Sequence, residues 1–246
     1  MALSGIVAGQ LLVHQLPLPA VILVGLLSGA LMGLVNATLI VIVGVNPLIA
    51  TIGTQFAFRG LSFISTGGLP INIFDFKAFG VIGNGTVGGL NYNVVVFGAV
   101  LLLVGFVLSM TQLGSHMYAI GGSRVAARLA GVPVRRVRII VYMLSGLSAA
   151  IAGVILASAT GSASPLTGEG IELTVISAVI LGGTALTGGR GNVQGTLLGV
   201  LFLGLIANGM NLIGLAAYWQ ILVQGLALLV AIGIDTVFRL REQGGQ

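Results

Sequence analysis

From Leu18 to Val43 the chain runs without one charged side chain, and comparable apolar stretches recur at Leu48–Ile64, Val94–Met110, Ile139–Ala159, Val193–Ile213 and Tyr218–Phe238. Runs of roughly 17 to 25 apolar residues match the hydrocarbon thickness of a bilayer, and their lack of alternation excludes barrel strands. Lipid offers no water to satisfy backbone groups, so helices are the remaining way across. A mean hydropathy of +1.14, with only 6% of residues charged, leaves too little polar surface for a water-soluble fold. The expected fold is an all-α polytopic membrane protein, a bundle of about seven transmembrane helices forming a single transmembrane domain over residues 1–246. Two segments stay open. Leu173–Ala185 is short for a span and precedes a break, Leu186–Asn192, so it is either a full crossing or re-entrant. Met1–Val13 is apolar but too short to cross, and reads as the remnant of a longer helix or as a segment lying against the others.

Charge sets the orientation. Arg124, Arg128, Arg135, Arg136 and Arg138 form a basic island without an acidic residue, and such islands mark the cytoplasmic side of a span. Counting spans from there puts Asn46, Arg190, Arg239 and Arg241 inside and Asp75, Lys77, Glu169 and Glu172 outside, with Arg59 near the outer end of its helix. The net charge of +5 comes largely from this island, so it reports membrane orientation and makes nucleic acid an unexpected partner.

In lipid, helices associate through small residues and polar contacts, because no hydrophobic drive separates a helix from acyl chains. Gly25, Gly29 and Gly33 share one face at four-residue spacing, as do Gly195 and Gly199; with Gly182 and Gly183 they are expected at helix contacts, either fixed or sliding. The span centres hold neutral polar groups, among them Asn36, Gln55, Asn208, Asn211 and Gln220. Amides suit a neutral polyhydroxylated solute, but they also serve interhelical hydrogen bonding.

Catalytic readings lack their parts. No cysteine is present, His14 and His116 sit apart at span ends, and no H-E-x-x-H motif exists, so no metal site is expected. Lys77, the sole lysine, has no phosphate-binding loop before it. Gly189, Gly191 and Gly195 miss the dinucleotide spacing, and no cofactor is expected. Glu169 and Glu172, three residues apart, read most simply as solvated loop charges. Uphill transport would therefore need an ion gradient or another subunit.

The run Gly168-Glu169-Gly170-Ile171-Glu172-Leu173, then Ala178-Val179-Ile180-Leu181-Gly182-Gly183-Thr184, Gly188-Gly189-Arg190-Gly191, Gly195-Thr196-Leu197-Leu198-Gly199 and Asn208-Gly209-Met210-Asn211-Leu212 resembles the C-terminal half of the ABC importer permeases for ribose and related monosaccharides. Tyr118–Gly122 with Ala126–Val132 is similar to that family's cytoplasmic coupling segment, here about residues 113–138. The resemblance implies a non-enzymatic, multi-pass subunit of the cell inner membrane that pairs with a second permease copy or a paralogue, docks cytoplasmic ATPase subunits and receives solute from an external binding protein. Arg124, Ala126, Ala127, Arg128, Leu129, Gly131 and Pro133 would form the ATPase contact, with Ala126, Ala127 and Leu129 as its apolar face; the arginines alone could equally be a topology signal. Family members often carry an acidic residue near Arg124, and they have further hydrophobic segments ahead of the region matching Met1, so an N-terminally truncated chain is expected. A branched-chain amino acid ABC permease and a passive channel or facilitator are the alternatives.

Overall fold

The computed structural model describes residues 1–185, 188–216, 218–223, 225–227, 229 and 233. Much of the expected last span, with Gln224, Asp235, Arg239, Arg241 and Glu242, lies outside the described residues, as do Leu186 and Thr187 of the expected break. The described residues are mostly helical, and four helical stretches are long and apolar enough to cross a membrane: Leu18–Val43, Tyr92–Met110, Val134–Thr160 and Val193–Leu212. Three of these hold no charged residue, and Val134–Thr160 confines Arg135, Arg136 and Arg138 to its first turns. The count falls below the expected seven for identifiable reasons. The helix Pro47–Thr66 carries Thr51, Thr54, Gln55 and Arg59 and is less apolar; Ile171–Leu181 is too short. The chain divides into two compact units, residues 1–100 with 135–168, and residues 101–134 with 169–246.

In the first unit, α1 (Ala2–Val13) is a core element, packed against α2 (Leu18–Ala37) and α3 (Pro47–Thr66), with Ile6 and Ala8 fully buried. Its small residues allow this: Gly5 meets the Gly153 carbonyl of α8 (Val134–Thr160), and Gly9 meets Ala163. Gly25, Gly29 and Gly33 of α2 lie against Val154, Ala150 with Gly146, and Tyr142 with Met143, an antiparallel register along α8 in which a Cβ at Gly29 or Gly33 would strike backbone. α2 continues as a π-helical turn, Thr38–Val43, closed by Gly44 at φ +89°. Asn46 then caps α3, its Oδ1 accepting the Leu48 N–H at 2.9 Å, with Pro47 at the first helical position.

The polar, glycine-rich stretch Ser65–Asn93 is built into short elements. β1 (Ile71–Asn72) pairs antiparallel with β4 (Ser162–Ala163), so the two loops that span parity assigns to one side meet there. α4 (Lys77–Asn84) packs on the end of α8 through Ser158, whose Oγ accepts the Gly83 N–H at 2.7 Å and donates to the Phe79 carbonyl. β2 (Thr86–Val87) and β3 (Leu90–Asn91) form a hairpin whose turn residues Gly88 and Gly89 both have positive φ, the geometry that two-residue hairpin turns demand. α5 (Tyr92–Met110) follows, without a charged residue, apolar from Val94 to Leu108 and without a buried residue, a surface that water would not tolerate.

In the second unit, α9 (Ile171–Leu181) lies antiparallel against α10 (Val193–Leu212): Gly182 abuts the backbone at Gly195 and Gly199 abuts the Ala178 carbonyl. Eleven residues rise ~16 Å, about half the ~30 Å hydrocarbon core. Gly183 meets no neighbour and serves the backbone instead of a helix contact. At φ +84° it ends α9 in a Schellman motif, with Gly183 N donating to the Ile180 carbonyl at 2.8 Å and Thr184 N to the Val179 carbonyl at 3.1 Å. Asn192 caps α10.

Candidate functional site

The basic island begins where α6 (Gln112–Gly122) gives way to α7 (Arg124–Leu129). Ser123 separates them and caps α7, its Oγ accepting the Ala126 N–H at 3.3 Å. The far end is equally defined: Gly131 at φ +80° closes a second Schellman motif, with Val132 N bonded to the Ala127 carbonyl at 3.0 Å, and Pro133 follows. Gly131 and Pro133 thus stop the helix. A six-residue helix so short gains little from its own hydrogen bonds, so these two end structures hold its shape.

The side chains of α7 divide sharply. Ala127 is 4% exposed and packs inward, so it supports the helix and is absent from the outer face on which it was expected. Leu129 is 85% exposed and Val125, one turn earlier, 71% exposed. Arg124, Ala126 and Arg128 are exposed beside them. The outward face is therefore an apolar pair, Val125 and Leu129, rimmed by two guanidinium groups. Sequence reading missed Val125; the i, i+4 spacing to Leu129 was the available signal.

The neutral polar residues fall into separate sets. In the first unit Thr54 Oγ1 donates to Asn36 Oδ1 at 2.6 Å, linking α2 to α3, and Gln55 is half-buried. In the second unit Gln220 Nε2 donates to Asn211 Oδ1 at 2.6 Å, while Asn208 lies exposed on the same stretch of α10. An amide on the outside of an apolar helix is costly against acyl chains, and such groups face a water-filled path or another protein surface. A cavity of about 350 Å³ in the first unit, beside α4 and lined partly by Phe74, Lys77, Asn84 and Ser158, contains none of the expected pathway residues.

The family model described as branched-chain amino acid transport system / permease component matches residues 1–232. The chain belongs to this permease family. Among individual relatives, the permease is 38% identical to the ribose import permease protein RbsC of Escherichia coli (strain K12), over 96% of this chain and 74% of the relative. It is 40% identical to the ribose import permease protein RbsC of Bacillus subtilis (strain 168), over 94% and 72% respectively. The L-arabinose ABC transporter permease protein AraH of Azospirillum brasilense is 39% identical, over 95% and 69%. No solved structure matches the permease.

Membership makes the permease a transport subunit, which fits the helical stretches long enough to cross a membrane. α7 belongs to none of the crossing-length helices, and its Val125 and Leu129 stay exposed.

Proposed function

We propose that the chain is the transmembrane subunit of an ATP-binding cassette importer in a bacterial cytoplasmic membrane, carrying a monosaccharide inward. A second permease copy, cytoplasmic ATPase subunits and an external solute-binding protein complete the machine. The observation that carries the docking part is the exposed Val125–Leu129 pair on a helix fixed at both ends. Such a knob suits an apolar groove in a cytoplasmic partner, with Arg124 and Arg128 at the rim. The solute class rests on the relatives named for ribose and L-arabinose import. It also accords with the amides at Asn36, Gln55, Asn208, Asn211 and Gln220, which offer donors and acceptors without net charge. Seven crossings are proposed: α2, α3, α5, α8, α9 with the turn that follows it, α10, and the segment beginning at Tyr218. The coupling segment occupies about residues 113–138, on the cytoplasmic face.

Leu129→Asp places a charge in the docking knob. Co-purification of the ATPase with the permease is expected to fall at least tenfold, as for a hot-spot residue worth about 2 kcal/mol, and energised uptake of labelled ribose or arabinose is expected to fall with it. Uptake that survives loss of the ATPase would support a passive facilitator instead. The family's description favours one further reading, a branched-chain amino acid permease. Uptake of labelled leucine in place of the sugars would establish it.

A further inference from the structure

The C-terminal end of α6 is seated on the loop that joins α9 to α10, and the contact is backbone on backbone. A Cβ on Gly121 would strike the Gly189 amide nitrogen, and a Cβ on Gly189 would lie 2.9 Å from the Gly122 nitrogen. One turn earlier on α6, the Tyr118 hydroxyl donates to the Gly191 carbonyl at 2.8 Å. Tyr118, Gly121 and Gly122 of α6 therefore grip two residues of the loop, Gly189 and Gly191.

The described residues on both sides of the contact are fixed by hydrogen bonds. On the loop side, α9 ends in its Schellman motif, Ala185 N donates to the Arg190 carbonyl at 3.0 Å, and Asn192 caps α10. On the other side, only Ser123 stands between α6 and α7, and its side chain is committed to the cap. Contacts between long side chains can yield by changing rotamer, whereas contacts between glycine backbones have nothing to rotate, and packed interfaces pass strain on. A displacement of α7 thus reaches the α9–α10 hairpin through the α6 end. Gly182, Gly195 and Gly199 hold that hairpin together, so it moves as one body and takes Asn208 and Asn211 of α10 with it.

We propose that Tyr118, Gly121 and Gly189 form a junction that delivers movement of the docking helix α7 to the α9–α10 hairpin, making them positioning residues for transport. The proposal rests on the reading of α7 as the ATPase contact. Discrete repacking of rigid elements is how small displacements at one site become changes of state at another, and this junction gives the permease such a route within a single unit.

The test uses the full permease, reconstituted in lipid vesicles with its ATPase and external binding protein, and compares solute taken up per ATP hydrolysed. Tyr118→Phe removes one hydroxyl and keeps the ring; uptake per ATP is expected to fall about fivefold, the equivalent of one hydrogen bond. Gly121→Ala forces the backbones apart and is expected to cost about tenfold or more by overpacking. In both variants the ATPase is expected to co-purify as it does with the unsubstituted permease, because the docking face is untouched. A structural defect would lower membrane abundance and ATPase co-purification together.

The absence of native cysteine allows a direct readout. Spin labels on Ala130→Cys, at the exposed end of α7, and Val175→Cys, exposed on α9, report their separation. With the junction intact, this separation is expected to hold steady when non-hydrolysable ATP is added; with Gly121→Ala it is expected to shift. Unchanged uptake per ATP in both variants, or a label separation that shifts equally with and without Gly121→Ala, would overturn the junction. Failure of the unsubstituted permease to retain an ATPase would overturn the docking reading first, and the junction with it.

Discussion

Ser158 Oγ serves two backbone groups of α4 at once, accepting from Gly83 and donating to Phe79, at a site where the residue is 1% exposed. Ser158→Ala leaves the Gly83 N–H without that acceptor, and an orphaned buried donor costs about 1–3 kcal/mol. The thermal unfolding midpoint of the purified protein in detergent is expected to drop accordingly. Residues of this kind are poorly legible in a sequence: Ser158 is one of several serines along α8, and its partners lie more than seventy positions away. The stripe of Gly25, Gly29 and Gly33 was legible because its period is local. Its counterpart on α8, Gly146 and Ala150, was not singled out, since the match between two helices exists only once they are packed. Gly183 shows the converse limit: its neighbour Gly182 makes a helix contact, and only the backbone angles separate their roles.

At the scale of elements, α7 depends on its ends. Ser123→Ala removes the cap, a loss of ~1 kcal/mol for a helix that has only six residues. The expected consequence is a roughly fivefold weaker association with the ATPase, measured by binding the isolated ATPase to vesicle-embedded permease. Ser123→Asp, which restores an acceptor, is expected to recover most of it. Ser123 and Gly131 carry the residue signatures of a cap and a stop, but Ser123 went unread and Gly131 was expected only at the ATPase contact. The long helices were readable from run length alone, and the sequence boundaries at Leu18–Val43 agree with the structure. The elements between spans escaped reading. α4 and the β1–β4 pairing are short, and a two-residue strand has no period to detect. α9 was recognised as short, and its eleven residues explain why length alone left its crossing open.

For the whole molecule, orientation is the proposition on which docking and solute entry both depend. Lys77 is the sole lysine and is exposed at the start of α4. A membrane-impermeant amine reagent added to intact cells is expected to modify Lys77, with peptide mapping to distinguish it from the N-terminal amine. Modification only after the membrane is opened would invert the topology and remove α7 from the cytoplasm. The overall class was legible because lipid permits so few solutions to a chain this apolar. The division into two compact units was not, because it groups Leu101–Val134 with residues far along the chain. The stretches Leu18–Val43, Tyr92–Met110 and Val193–Leu212 contain no ionised side chain, and Val134–Thr160 keeps its three at one end. A charge that crosses the field gains or loses ~2.3 kcal/mol per 100 mV, and the interiors of these four helices offer the field nothing to pull. For the uncharged cargo proposed above, rearrangement of these four helices carries no side-chain charge through the field, and membrane voltage does no work through them.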